Sequence, residues 1–184
     1  MTAIRIQGVG TAVPEHVYHQ DQVRQVVEGL FQESVDNLDR LLRVFDHLHI
    51  VRRHFARDPE WYALDHGFGE LNALFTKAAT ELSCRAARNA LAQSGVPVAS
   101  VSGIIAVTTT GMMTPSLDAI LMQELNIPLT AIRIPIVGLG CAGGVTGLAR
   151  AGELSSARNG APVLFVAVEI CSATFQKNDI SKSN

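Results

Sequence analysis

Residues 131–168 carry the order that most restricts the fold. An apolar run (Ala131 to Val137) leads into a glycine-rich turn, a helical stretch (Val145 to Asn159, closed by Gly160) and a second apolar run (Val163 to Val168). A near-continuous apolar strand must be covered on both faces, and strands joined through a crossover helix lie parallel. The rest of the chain extends the alternation. Ile4 to Val9 reads as a strand ended by Gly10 and Pro14, and Gln20 to Phe31 and Leu38 to Leu48 read as amphipathic helices. A long helix follows, about Glu70 to Gln93, with Leu71, Leu74, Phe75, Ala78, Leu82 and Ala86 on one face. Gly95 and Pro97 end it in the expected order. Gly103 to Val107 is a short buried strand and Ser116 to Leu125 a helix. Strands alternating with helices predict an α/β layered fold with a mostly parallel sheet.

The turn between the two apolar runs is Val137-Gly138-Leu139-Gly140-Cys141-Ala142-Gly143-Gly144-Val145. Gly138-x-Gly140-x-x-Gly143 satisfies the dinucleotide-binding pattern, since it follows a strand and opens a helix. Glu169, at the end of the next strand, stands near where a ribose-binding acid would be expected. Such domains commonly open with that turn, however, and here it lies deep in the chain, with a thiol at the pyrophosphate position. As the seat of a nucleophile the same turn has a clear use. A sharp strand-to-helix turn exposes its side chain, and glycines leave room for a substrate carbonyl. The helix N-terminus favours a thiolate and offers N–H groups to an oxyanion. A small cysteine filling a tight buried turn is the plain alternative. Cys84 and Cys171 lack glycine neighbours and read as core fillers.

Composition excludes several function classes. With 47% hydrophobic and 17% charged residues, the chain holds more apolar surface than one small core hides, which points to a partner. A net charge of −2 and 5% aromatic residues argue against a nucleic-acid or membrane-surface role. No run approaches the ~18 apolar residues of a membrane span. No leader pattern precedes Ile4, so a cytoplasmic location is the default expectation. Three widely spaced cysteines without a C-x-x-C pair fit reduced thiols rather than a disulfide or zinc framework.

Arg40, Arg43 and His47 fall at i, i+3 and i+7, on one face of the second helix. They form either a phosphate-binding face or a solvated face paired with Asp36, Asp39 and Asp46. Arg52-Arg53 reads equally as a polar strand end or a second phosphate contact. His47, His49 and His54 have poor spacing for a metal, and no metal is expected.

Four stretches taken together resemble the N-terminal half of type III polyketide synthases, the chalcone synthase-like enzymes of the thiolase superfamily. They are Gly8 to Pro14, Thr108-Thr109-Thr110-Gly111 with Thr114 to Ala119, Gly138 to Gly144, and Val168 to Gln176. The resemblance runs over essentially the whole chain, 1–184, with bacterial members the most similar. It implies a thiolase-like layered α/β fold, this chain being the N-terminal half of the duplicated αβαβα architecture. It further implies an acyltransferase that loads an acyl group from a CoA thioester and extends it with malonyl-CoA by decarboxylative condensation, without a further cofactor. Cys141 matches the family nucleophile. Arg40, Arg43 and His47 fall where the family binds the CoA phosphates, with His47 in place of a usual lysine. Thr109, Glu169 and Thr174 match positions lining the initiation and cyclisation cavity. Thr114 matches a residue that reaches across a homodimer interface. The family's catalytic His and Asn belong to a C-terminal half that this chain does not contain, so association with that half is also implied. Two rivals remain at this point: a ketoacyl-carrier-protein synthase III-like condensing enzyme, which the Glu169–Gln176 block argues against, and a non-catalytic fragment or subunit.

Overall fold

A computed structural model describes residues 4–178. Three parallel strands form its centre, in the order β4 (Ile132–Val137), β3 (Gly103–Thr108), β5 (Val163–Ala167). All six residues of β3 are buried, as a strand paired on both edges and covered on both faces requires. Alternate residues of β3 serve opposite layers. Ile104 and Ala106 pack with Cys84 and Ala87 of the long helix α4 (Phe68–Ser94) and with Leu117 and Leu121 of α5 (Leu117–Glu124). Ile105 and Val107 pack with Ala151 of α6 (Gly143–Ala157) on the other face. The result is an α/β/α sandwich, as the sequence predicts.

The helical periodicity locates α1 (Gln20–Phe31), α2 (Leu38–His47) and α4 closely. Gly95, left-handed at φ 66, closes α4 where the glycine–proline signal places its end. Polar sequence hides a second sheet: β1 (His16–His19) pairs antiparallel with β2 (Arg52–Phe55), which brackets α1 and α2. A single-turn helix α3 (Pro59–Tyr62), capped by Asp58, follows it.

The strand expected at Ile4–Val9 has no ladder partner among the described residues. That segment runs instead along α4. Gln93 and Asn89 side chains bond the backbone of Val9 and Thr11, and Arg85 bonds the carbonyl of Val13. The contact is close enough to require glycine, since a Cβ at Gly10 would come within 2.0 Å of the Ala86 carbonyl oxygen. Ile4, Ile6 and Val9 remain exposed. No helix among the described residues is long and apolar enough to cross a membrane.

Candidate active site

The carboxyl ends of β3, β4 and β5 lie side by side, and the segments leaving them form one cluster. In open α/β sheets ligands bind at this edge, beyond the strand ends. β3 runs into Thr109-Thr110-Gly111, β4 into Gly138–Cys141, and β5 into Glu169 and a 3-10 turn, Cys171–Thr174.

The β4 turn uses its glycines conformationally: Gly138 and Gly140 adopt φ 81 and 54, which favour a residue without Cβ. One 3-10 turn, Gly140–Ala142, then feeds α6, and Gly143 N–H donates to the Gly140 carbonyl. Cys141 thus stands just ahead of the α6 N-cap, Ala142, and its side chain is exposed. No side chain among the described residues caps α6, so the positive end of its dipole is open beside the sulfur. The buried-filler alternative for Cys141 is ruled out.

Long-range hydrogen bonds fix this turn. One oxygen of Glu169, Oε2, accepts from Thr109 N–H and Thr110 N–H at 3.0 Å each and from the Thr110 hydroxyl at 2.7 Å. Thr110 Oγ1 in turn accepts from Ile170 N–H at 2.9 Å. Thr109 Oγ1 accepts from Gly140 N–H at 3.0 Å, one residue before Cys141. Glu169 therefore holds the β3 turn, and the β3 turn holds the cysteine turn. Thr110 escaped the sequence reading, although the unbroken Thr108-Thr109-Thr110 run was its visible signal.

Removing this anchor should be felt at the sulfur. Glu169→Ala is expected to lower stability by about 2 kcal/mol, since bonds to a charged acceptor are worth about 1.5–3 kcal/mol each and these are partly solvent-replaced. It is also expected to slow Cys141 modification by an acyl thioester about tenfold or more, because a ~1 Å misplacement can cost 10²-fold. Thermal melts and acylation rates check both. Parent values in the variant would show the carboxylate to be idle.

The remaining predicted residues divide between this cluster and the α2 face. Thr174, exposed in the 3-10 turn, donates its hydroxyl to the Cys171 carbonyl at 2.8 Å. Thr114 lies exposed in the loop between β3 and α5. Arg40, Arg43 and His47 are exposed on α2, and among the described residues none enters an ion pair, so the alternative of a face paired with Asp36, Asp39 and Asp46 is not seen. Arg53 is committed elsewhere, donating to Gln20 Oε1 at 2.8 Å and covering the Phe45 ring. No three His, Cys, Asp or Glu side chains among the described residues group as metal ligands.

Cys171 corrects the sequence reading, being exposed rather than a core filler. The turn after Ile170 buries Ile170 and Ala173 and leaves residue 171 on the open side. Cys84 is buried, and burial pushes its thiol up, with Glu124 adding to and Arg88 opposing the effect. A raised thiol holds less thiolate at neutral pH and reacts more slowly. Brief iodoacetamide treatment of the folded chain is therefore expected to mark Cys141 and Cys171 and spare Cys84, as read by peptide mass mapping. Equal labelling of Cys84 would contradict its burial.

Comparison with known proteins agrees with this architecture. Residues 2–183 match the family model of the chalcone and stilbene synthases, N-terminal domain. A Bacillus subtilis (strain 168) protein that goes under the name chalcone synthase is 39% identical over 184 residues, which is 97% of this chain and 50% of that protein. The 1,3,6,8-tetrahydroxynaphthalene synthase of Streptomyces peucetius subsp. caesius is 30% identical over 94% of this chain and 46% of its own length. The crystal structure of 1,3,6,8-tetrahydroxynaphthalene synthase from Streptomyces coelicolor A3(2), a bacterial type III polyketide synthase, superposes with a TM-score of 0.88. It is 28% identical, over 95% of this chain and 51% of the synthase chain. The chain thus spans about half the length of the relatives it matches, and it shares their thiolase-like layered fold. It belongs to the chalcone and stilbene synthase family, as an N-terminal domain of the type III polyketide synthase kind.

Proposed function

We propose that this chain supplies the nucleophilic half of a type III polyketide synthase, with Cys141 as the acyl acceptor. The thiolate of Cys141 attacks the carbonyl carbon of an acyl-CoA thioester, and the carbonyl electrons move onto oxygen. When they return, the bond to the CoA sulfur breaks, CoA thiolate leaves, and the acyl group stays on Cys141. In the whole protein, loss of CO₂ from malonyl-CoA then generates a carbon nucleophile that displaces Cys141 from the acyl group and lengthens the chain. Arg40, Arg43 and His47 hold the CoA phosphates, and two arginines of this geometry suit phosphate well. Thr109, Glu169 and Thr174 line the space in which the growing chain lies. A homodimer, with Thr114 reaching the second copy, and the C-terminal half with its His and Asn complete the enzyme. Exposed apolar side chains along β4 and α6 (Ile132, Val137, Val145, Leu148) give those partners a surface to cover.

One observation carries the reading. The exposed Cys141 stands at the carboxyl edge of a parallel sheet, ahead of an uncapped helix N-terminus. Helix termini of this kind favour an adjacent negative charge by about 0.3–1 kcal/mol at an exposed position. The test is intact-mass spectrometry after incubation with acetyl-CoA, followed by peptide mapping. A single acetyl adduct on the Cys141 peptide is expected. A folded chain that acquires none would end the proposal.

A further inference from the structure

Gln20 is polar yet only 7% exposed, and it opens α1. Glutamine is mostly exposed in folded chains, so a buried one calls for partners. Gln20 has three, each from a different segment. Its backbone N–H donates to the Val51 carbonyl at 3.0 Å, in the stretch that leads into β2. Its side-chain Oε1 accepts from Arg53 Nε at 2.8 Å. Its Nε2 donates to the Phe45 carbonyl at 3.4 Å, in the last turn of α2. The carbonyls of a final turn have no partner within their own helix, so this contact acts as a side-chain cap. Arg53 completes the network, because its guanidinium lies 5.9 Å from the centre of the Phe45 ring. One buried residue thus joins the start of α1, the middle of β2 and the end of α2.

The helix held in this way carries the basic face. Leu42 is 1% exposed and Phe45 half-buried, while Arg40, Arg43 and His47 are exposed on the opposite side of α2. Any turn of α2 about its axis would carry the three basic groups with it. The Phe45 carbonyl and ring lie between Arg43 and His47 in sequence, so the contacts act where the face must be aligned. Arg53 has the charge to bind a phosphate itself. Bonded to Gln20 and laid over Phe45, it is withheld from that role.

We propose that Gln20 is a positioning residue for CoA: through Arg53 and the Phe45 carbonyl it sets the rotation of α2, and with it the alignment of Arg40, Arg43 and His47 on the CoA phosphates. The inference rests on the phosphate-binding reading of that face. Gln20 has no part in the chemistry, since none of its bonds among the described residues reaches the Gly138–Gly143 turn. Its loss should weaken binding and leave the acyl-transfer step alone.

The test follows acylation of Cys141 in the 184-residue chain by acetyl-CoA and by S-acetyl-N-acetylcysteamine, an acetyl thioester without phosphates. In Gln20→Met the acetyl-CoA concentration that gives half the maximal rate is expected to rise about tenfold, the equivalent of one charge-assisted hydrogen bond. The maximal rate, and the rate with the phosphate-free thioester, are expected to stay at parent values, a split that general loosening of the fold would not produce. Arg53→Lys keeps the positive charge but loses the Nε donor and the planar stack, so the same split is expected there. That variant also decides the matter if Gln20→Met does not fold. An unchanged half-saturating concentration in either folded variant, or equal slowing with both thioesters, would overturn the inference while leaving the phosphate reading in place. Failure of the phosphate reading looks different: the parent chain itself would show no preference for acetyl-CoA over the phosphate-free thioester, and the role of Gln20 would fall with it.

Discussion

Replacing Cys141 with alanine is expected to abolish the acyl adduct completely while leaving the melting temperature unchanged. The sulfur is exposed and makes no packing contribution to a core cluster, so its loss should move stability by no more than about 0.5 kcal/mol. Any loss of labelling is then chemical rather than structural. The chain carries its own controls. Cys171 is equally a free, exposed thiol, but it opens a 3-10 turn instead of standing ahead of an uncapped α-helix. Cys84 is buried and its thiol is pushed up. Cys141→Ser sharpens the argument. A serine hydroxyl needs a general base to become a nucleophile, a service worth about 10²–10⁴-fold. The backbone donors fixing this turn, Gly140 N–H and Gly143 N–H, are satisfied by Thr109 and by the Gly140 carbonyl, and neither supplies a base. Acylation of the serine variant should fall by that range. An adduct that persists in Cys141→Ala and maps to Cys171 would reassign the nucleophile.

What the sequence made legible follows from the range of the forces involved. Periodicity is a local property, and it located α1, α2 and α4 because each buries one stripe. The apolar runs located β3, β4 and β5, although only β3 is buried throughout: β5 is partly covered and β4 keeps exposed side chains, Ile132 and Val137 among them. Ile4–Val9 has the same local pattern but lacks a partner strand, which no local pattern can reveal, and Gly8 and Gly10 let it settle on α4 instead. The β1–β2 hairpin was illegible for the complementary reason. His16–His19 and Arg52–Phe55 are mostly polar, and two helices separate them. At the site, the glycines and Cys141 were readable as a turn bearing a thiol. The role of Glu169 was not, because its three donors lie about sixty residues away in sequence. Cys171 was misread because a 3-10 turn, not a strand, decides which way residue 171 faces.

Gly111→Ala is expected to be the most damaging single-methyl change near the site. A Cβ at Gly111 would lie 2.0 Å from Phe75 Cδ1 and 2.2 Å from Cγ, the base of the ring rather than its free edge. Phe75 is 0% exposed and packed among Ala79, Leu82, Ile170 and Ala173, so the ring has nowhere to swing. The backbone cannot easily yield either. Asn72 grips the next residue from both sides, donating to the Met112 carbonyl and accepting from Met112 N–H, each at 2.9 Å. Overpacking of this kind costs about 1–3 kcal/mol, and the pinned backbone places the change at the upper end. At about 2–4 °C per kcal/mol for a domain of this size, the melting temperature should fall by roughly 6–12 °C. Relief of strain by moving the Thr109–Gly111 turn would also pull on the bonds to Glu169 and Gly140, so acylation of Cys141 should slow in parallel. Phe75→Leu separates this from generic damage. Alone it leaves a void and destabilises, but it vacates the space the new methyl requires. The double variant should therefore be more stable than the sum of the two single losses predicts. Strictly additive losses, or an unchanged melting temperature in Gly111→Ala, would show that the turn is not braced against Phe75.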